Sequence, residues 1–415
     1  MFFAKPRRKR LACHAHVLRD CALVVFTALL TLCVLCSSRL LPPRSERVRL
    51  SLAPPPGAAR ARAPRTGSAV RQASQDTPPA DANVAYFVQV AESTAGHLPR
   101  LLSRIHHPGN VYAIHFDMKM DKTVVANLTA SLFEESPYFR DNVHVMDSEL
   151  ITYRGVSMVL NTINAMKFLL ERNSRWHYFI NLSGSDYPLV SPALTRSLLG
   201  PHVPDELNFI TPAARERWDV NIDHRMQHFY VDEALSFNTG PTVVVHVYER
   251  NPIASMLNFQ YVSAEAWMIN SRDFCRFVVT DGYARKMLLS FAYSVEASEH
   301  YFSTLLWNHP RYNRTVAHRA LRHVIWKHEG KSAGQHPFMV DQKEPDGSYT
   351  FKDDIRDSPN LFIRKFKDPN SPLMDFIDGR LNDPEHVTAV RNLFKWVTGM
   401  SLDARMEKDA AAAAA

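Results

Sequence analysis

The chain has 415 residues, 46% of them hydrophobic and 22% charged, which supplies a sizeable core and excludes a largely disordered protein. Its formal charge of +7 is a poor guide to its partners, because residues 1–80 hold fourteen Lys and Arg against three acids. That surplus exceeds the whole chain's, so the remainder is net acidic, which argues against a nucleic-acid binder, whose cations sit on the folded domain.

Lys5, Arg7, Arg8, Lys9, Arg10 and Arg19 precede an uncharged, mostly apolar stretch from Cys21 to Ser38. At ~1.5 Å per residue it spans roughly 27 Å, the thickness of an early-secretory bilayer. Leu35-Cys36-Ser37-Ser38 would admit cleavage, but the run is long for a signal peptide. The reading is therefore a cytosolic tail (1–20), an uncleaved transmembrane signal-anchor (21–38) and a lumen-facing remainder. Residues 39–82, rich in Pro, Ala and Arg, read as a disordered stem. Of the five cysteines only Cys275 would be luminal, so no disulfide can form within that domain. Asn127-Leu-Thr and Asn313-Arg-Thr are glycosylation sequons; Asn181-Leu-Ser also fits but falls in a buried strand.

From Asn83 the pattern alternates. Val84–Val90 predicts a strand, His97–Ile105 an amphipathic helix, Val111–Asp117 a strand, Lys122–Glu134 a helix and Val143–Asp147 a strand. Gly155–Arg172 predicts a helix and Tyr178–Leu182 the next strand. This βαβαβαβ order implies a parallel sheet with covering helices, an α/β domain over 83–385. Residues 386–415 read as a C-terminal helix and a low-complexity alanine tail that frays.

The chemistry gathers where strands end. Asp117, Asp147 and Asp186 (on the turn Leu182-Ser-Gly-Ser185) are placed along one sheet edge, where open α/β sheets bind ligands. Carboxylates suit ribose hydroxyls and a uracil imide, though helix capping would also use them. Thr152-Tyr153-Arg-Gly155 opens a helix at the same edge. Ser298-Glu299-His300-Tyr301-Phe302 starts an amphipathic stretch through Trp307, and Glu299 could be a solvated helix-start residue or a fixed general base. Arg364 and Lys365 stand inside Phe362, Ile363 and Phe366, a frame that justifies buried cations if an anion such as a diphosphate meets them. Gly330-Lys331-Ser332 lacks the upstream glycine of a phosphate loop, and no G-x-G-x-x-G follows the first strand. His224 and His228 have metal-ligand spacing without the adjacent glutamate of a metalloprotease helix, so no metal site is assigned.

The blocks Ala85-Tyr-Phe-Val-Gln-Val, Ile114-His-Phe-Asp117, Phe179-Ile-Asn-Leu-Ser-Gly-Ser-Asp186-Tyr-Pro, Ser298-Glu299-His-Tyr-Phe and Phe362-Ile-Arg364-Lys365-Phe366, in this order, resemble the Core-2/I-branching β1,6-N-acetylglucosaminyltransferase and peptide O-xylosyltransferase family, which includes plant glucuronosyltransferase-like members. The resemblance covers about 84–370 and implies a GT-A-type, Rossmann-like nucleotide-sugar fold. It implies inverting transfer from a UDP-sugar to an acceptor hydroxyl without a divalent metal or other cofactor. Val88, Asp117, Tyr153 and Asp186 are then expected at the nucleotide-sugar, Glu299 as base, and Arg364 and Lys365 on the diphosphate. Where relatives read Gly-Ser before an aromatic, this chain has Ala264-Glu265-Ala266-Trp267, which places Glu265 and Trp267 in the acceptor region and leaves the acceptor open. The expectation is a Golgi-resident, single-pass type II glycosyltransferase acting on a glycan or glycoprotein. The alternative is a non-catalytic glycan-binding protein on a decayed transferase fold.

Overall fold

The computed structural model describes residues 79–214, 217–236, 241–252, 256–257 and 259–414. The proposed tail, membrane span and most of the stem lie outside them. Among the described residues no helix is long and apolar enough to cross a membrane.

Chain order begins β1 (Val84–Val90), α1 (Leu98–Ile105), β2 (Val111–Phe116), α2 (Lys122–Glu135), β3 (Val143–Val145), α3 (Ser157–Arg172) and β4 (Tyr178–Ser183). It continues β5 (Asp186–Pro188), α4 (Pro192–Leu199), β6 (Asn208–Phe209), α5 (Trp218–Met226), β7 (His228–Asp232), β8 (Val244–Arg250) and β9 (Ile269–Ser271). Then come α6 (Arg272–Thr280), α7 (Gly282–Leu289), α8 (Tyr301–Asn308), β10 (Val316–Ala317), β11 (Arg322–Val324), β12 (Lys327–His328) and β13 (Lys331–Ser332). The chain closes with α9 (Lys352–Asp357), β14 (Phe362–Arg364), α10 (Pro372–Asp378) and α11 (Pro384–Ala414).

The main sheet has seven strands in the order β10-β6-β9-β4-β1-β2-β3. The predicted parallel pairing holds for β1 with β2 and β4 and for β2 with β3. The sheet is nevertheless mixed, because β9 runs antiparallel to both β4 and β6. Hydrophobic content sets which segments become strands but does not encode their direction.

Both faces of the central strands are covered, and the strand period of two divides them. Tyr86 and Val88 join Ile114, Ile180 and residues of α1, α4 and α11 in one core. Ala85, Phe87, Ala113 and Phe179 join α3, α6 and α8 in the other. Full burial of a side chain such as Phe87 contributes about 1.5–3 kcal/mol. Helix α8 is not amphipathic as expected: Tyr301 to Leu306 are all buried, so it is a core helix.

A second sheet, β11-β14-β5, is tied to β4 by the Ser183–Asp186 turn and has its own core of Tyr187, Ile325, Phe351, Ile363 and Phe366. Gly184 is required in that turn, because a Cβ there would stand 2.8 Å from the Thr94 carbonyl oxygen.

The ends of the domain differ from expectation. Ala82 is fully buried and its N–H donates to the Arg196 carbonyl at 2.9 Å, so the last residues assigned to the stem are docked on the domain. Helix α11 runs to Ala414 through the alanines expected to fray, alanine being the strongest helix former. Val390, Phe394 and Val397 bury α11 in the main core, so it is part of the domain rather than an appendage. Cys275 is free and fully buried in the other core, where burial pushes its thiol up and leaves no sulfur exposed for a partner chain.

Candidate active site

Six of the residues nominated from sequence meet in one cleft. Tyr153, Glu265, Trp267, Glu299, Arg364 and Lys365 line it together with Glu296, Ser298, Trp326, Gln335 and His336.

Its cationic wall comes from the second sheet. Arg364 ends β14 opposite Asp186 of β5, and its Nε is 3.7 Å from Asp186 Oδ1. The Arg364 guanidinium carbon stands 3.9 Å from the centroid of Trp267. Arg322, at the start of β11, approaches the same ring at 5.1 Å and donates to the Asn181 carbonyl at 3.1 Å. Burial lowers the pKa of Arg364, with Asp186 opposing the shift, and it lowers Arg322 to about 10, again against Asp186. Lys365 is lowered first by burial and then by Arg364. Arg364 Nη1 and Arg322 Nε and Nη1 are buried without hydrogen-bond partners. Crowded, desolvated cations with unused donors favour an anionic ligand.

The acidic side is built from loops. Glu299 closes a short 3-10 turn, Ala297–Glu299, and its backbone is held at both ends: its N–H donates to Glu296 O at 2.9 Å and its carbonyl accepts from Ala264 N at 2.8 Å. Its carboxylate pairs with Arg225 at 2.5 Å. Burial raises the Glu299 pKa, Arg225 opposes that and Glu296 adds to it. Glu296 is held by Arg154 through its side chain and through its own N–H to the Arg154 carbonyl at 2.8 Å. Both residues sit in left-handed backbone, at φ 57° and 71°. Glu265 is raised by burial against the pull of Arg322 and Arg364. Tyr153 is largely exposed and its ring leans on His336 across the mouth, with ring centroids 5.7 Å apart.

Other nominated residues stand elsewhere. Val88 is fully buried in the core beneath β1, so its side chain cannot line a cleft; a valine in a strand covered on both faces packs inward whichever way it points. Asp117 belongs to a separate hollow at the carboxyl ends of β1 and β2, with Ala91, Glu92, Ser93, Lys119 and Met120, and pairs with Lys119 at 2.7 Å. Asp147 is exposed on the loop after β3. Asp186 is 1% exposed, accepts from Ser183 N at 2.6 Å and lies behind the arginines as their counter-ion, not open to ligand as the sequence suggested. Asn127 is exposed on α2 and Asn313 half-buried in the turn after α8. Asn181, set aside as a glycosylation site, is 3% exposed and satisfied by Ala266 O and Met268 N at 2.8 and 2.9 Å.

A carboxylate that lines the same cleft as desolvated cations suits proton removal from a hydroxyl beside an anionic leaving group. A sequence model of the Core-2/I-Branching enzyme matches residues 84–348, and the chain belongs to that family. It is 29% identical over 307 residues to beta-glucuronosyltransferase GlcAT14A of Arabidopsis thaliana, spanning 73% of this chain and 65% of that protein. It is 25% identical over 313 residues to xylosyltransferase 1 of Rattus norvegicus, spanning 70% of this chain and 34% of the other. The chain thus covers less than two-thirds of the length of these relatives. Among solved structures it is similar to the WbbM bifunctional glycosyltransferase at a TM-score of 0.35 and 11% identity, over 75% of this chain and 52% of that one, a partial overlap.

Proposed function

We propose that the chain is an inverting glycosyltransferase with a GT-A-type domain that moves a sugar from a UDP-sugar to a hydroxyl of a glycan or glycoprotein. The observation that carries this reading is that Glu299 and the Arg364–Lys365 pair line one cleft. The acceptor oxygen attacks the anomeric carbon while its proton passes to Glu299. The bond from that carbon to the diphosphate breaks on the opposite face, and its electron pair leaves with UDP. Arg364, Lys365 and Arg322 meet the charge that develops there, and alignment of the three partners supplies much of the rate. The hollow at Asp117 and Lys119 is the candidate seat of the nucleoside. UDP-N-acetylglucosamine, UDP-xylose and UDP-glucuronate are the candidate donors, each supported by a transferase activity named for a relative.

The deciding experiment incubates purified chain with each UDP-sugar and an acceptor panel of oligosaccharides and serine-containing peptides. Acceptor-dependent UDP release with one donor supports the proposal. Glycan binding without turnover of any donor would support the decayed-fold alternative instead. The proposal includes a Golgi, single-pass type II setting with a luminal catalytic domain, supported by the basic residues before 21–38. Glycosidase-sensitive glycans on Asn127 or Asn313 test that orientation, since a cytosolic domain would carry none.

A further inference from the structure

Arg225 lies in the last turn of α5, far in sequence from every block that marks the family, yet it holds the carboxylate proposed to do the chemistry. Its Nη1 donates to Glu299 Oε2 at 2.5 Å and lies 3.4 Å from His300 Nε2. Its carbonyl accepts from Val295 N at 3.1 Å. The end of α5 therefore grips the loop 295–300 through both backbone and side chain. Among the described residues Arg225 is the one hydrogen-bond partner of the Glu299 carboxylate. With Oε2 engaged, Oε1 is the oxygen left to meet a hydroxyl in the cleft.

We propose that Arg225 is the positioning residue of the active site, selecting which carboxylate oxygen of Glu299 faces the acceptor and keeping that carboxylate ionised inside a desolvated cleft. The proposal rests on the reading of Glu299 as the base. The groups around Glu299 make Arg225 the decisive one. Glu296, on the same loop, repels its charge and is itself paired with Arg154 from the loop before α3. Glu265, from the segment before β9, is itself raised by burial and by Glu299. Arg364 at the end of β14 already faces Asp186 and Glu265, and Tyr153 is a neutral phenol at the mouth. His300 is fully buried and offers Nε2 towards an arginine, as an uncharged imidazole does. Without Arg225 the carboxylate would keep burial and the repulsion of Glu296, opposed by the unbonded Arg154, and would lose its directly bonded cation.

The test uses the purified chain with the UDP-sugar that gives turnover. Rates are followed across pH for the parent, Arg225→Met, Arg225→Lys and Glu299→Gln, with UDP affinity measured by calorimetry. Arg225→Met is expected to lower kcat at neutral pH about tenfold or more and to move the acid limb upward by about one pH unit, with activity partly recovered in alkali and UDP affinity unchanged. Arg225→Lys is expected to restore the limb but not the full rate, because an ammonium supplies charge without the rigid fork. A loss equal at every pH, or no loss, overturns the proposal and leaves Arg225 a packing residue. If Arg225→Met does not bind UDP, Arg225→Gln, which keeps a donor and removes the charge, is read by the same criteria. Near-normal turnover by Glu299→Gln removes the base assignment itself. An inactive Glu299→Gln beside an unshifted limb in the Arg225 variant removes only the role of Arg225.

Discussion

Trp267 serves two arginines at once: the guanidinium carbon of Arg364 stands 3.9 Å from its ring centroid and that of Arg322 5.1 Å. The indole comes from the Ala264–Trp267 segment on the acidic side, whereas both arginines belong to the second sheet. Asn181 of β4 straps that segment in place through Ala266 and Met268. One aromatic side chain thereby joins the two walls of the cleft, and the π-face offers a cation stabilisation that keeps its donors free for a ligand.

Replacing Trp267 by Leu should weaken UDP binding roughly 5–30-fold, the equivalent of about 1–2 kcal/mol of cation–π attraction at a desolvated site. Calorimetry with UDP alone reads this directly. Unchanged affinity would mean that Trp267 acts on the acceptor only.

The pH dependence of turnover should report Glu299. Its pKa is raised above the ordinary 4.5 by burial, so the ionised base is lost earlier than usual as pH falls. The acid limb of kcat is expected above pH 4.5, with activity falling as the medium becomes more acidic. His300, pushed down to about 3 by burial, stays neutral through that range and cannot be the source. A limb at or below 4.5 would contradict the environment described for Glu299.

Transfer should persist in excess chelator, because fixed cations stand where a divalent ion would otherwise neutralise the leaving group. The double substitution of Arg364 and Lys365 by Ala should abolish UDP binding, and added Mn²⁺ should not restore it. Silencing of the parent by chelator, with revival by Mn²⁺, would require a metal-based mechanism instead.

Gly155→Ala should destabilise the domain by ~1–3 kcal/mol through overpacking. A Cβ there would lie 2.0 Å from Asp232 Oδ2, and that oxygen accepts from Ser157 N at 2.8 Å at the start of α3. Thermal unfolding measures the loss; a melting temperature equal to the parent's would show that Asp232 moves aside freely.

What the sequence made legible follows from which forces are local. The first four strands were readable because their apolar runs are short and bounded, and α1 because its leucines recur at helical spacing. Glu299 and the Arg364–Lys365 pair were readable because a charge set among aromatics in one short window signals burial. Arg322 carries the same signal, inside Ala320-Leu-Arg-His-Val-Ile, and could have been found by it. Arg225 could not, since its partner is 74 residues away and no aromatic frame surrounds it in sequence. Nor could the inward turn of Asp186: a strand-end acid looks the same in sequence whether it meets a ligand or a buried arginine.

The span recognised as the family's ends at residue 348, but β14 and α11 come later. A protein trimmed to that span would lose β14, the middle strand of the second sheet, which ends at Arg364, and Lys365 with it. It would also uncover the surface on which Val390, Phe394 and Val397 rest, inviting self-association. The matched span and the folded domain thus end in different places, and any truncation of the chain should respect the second.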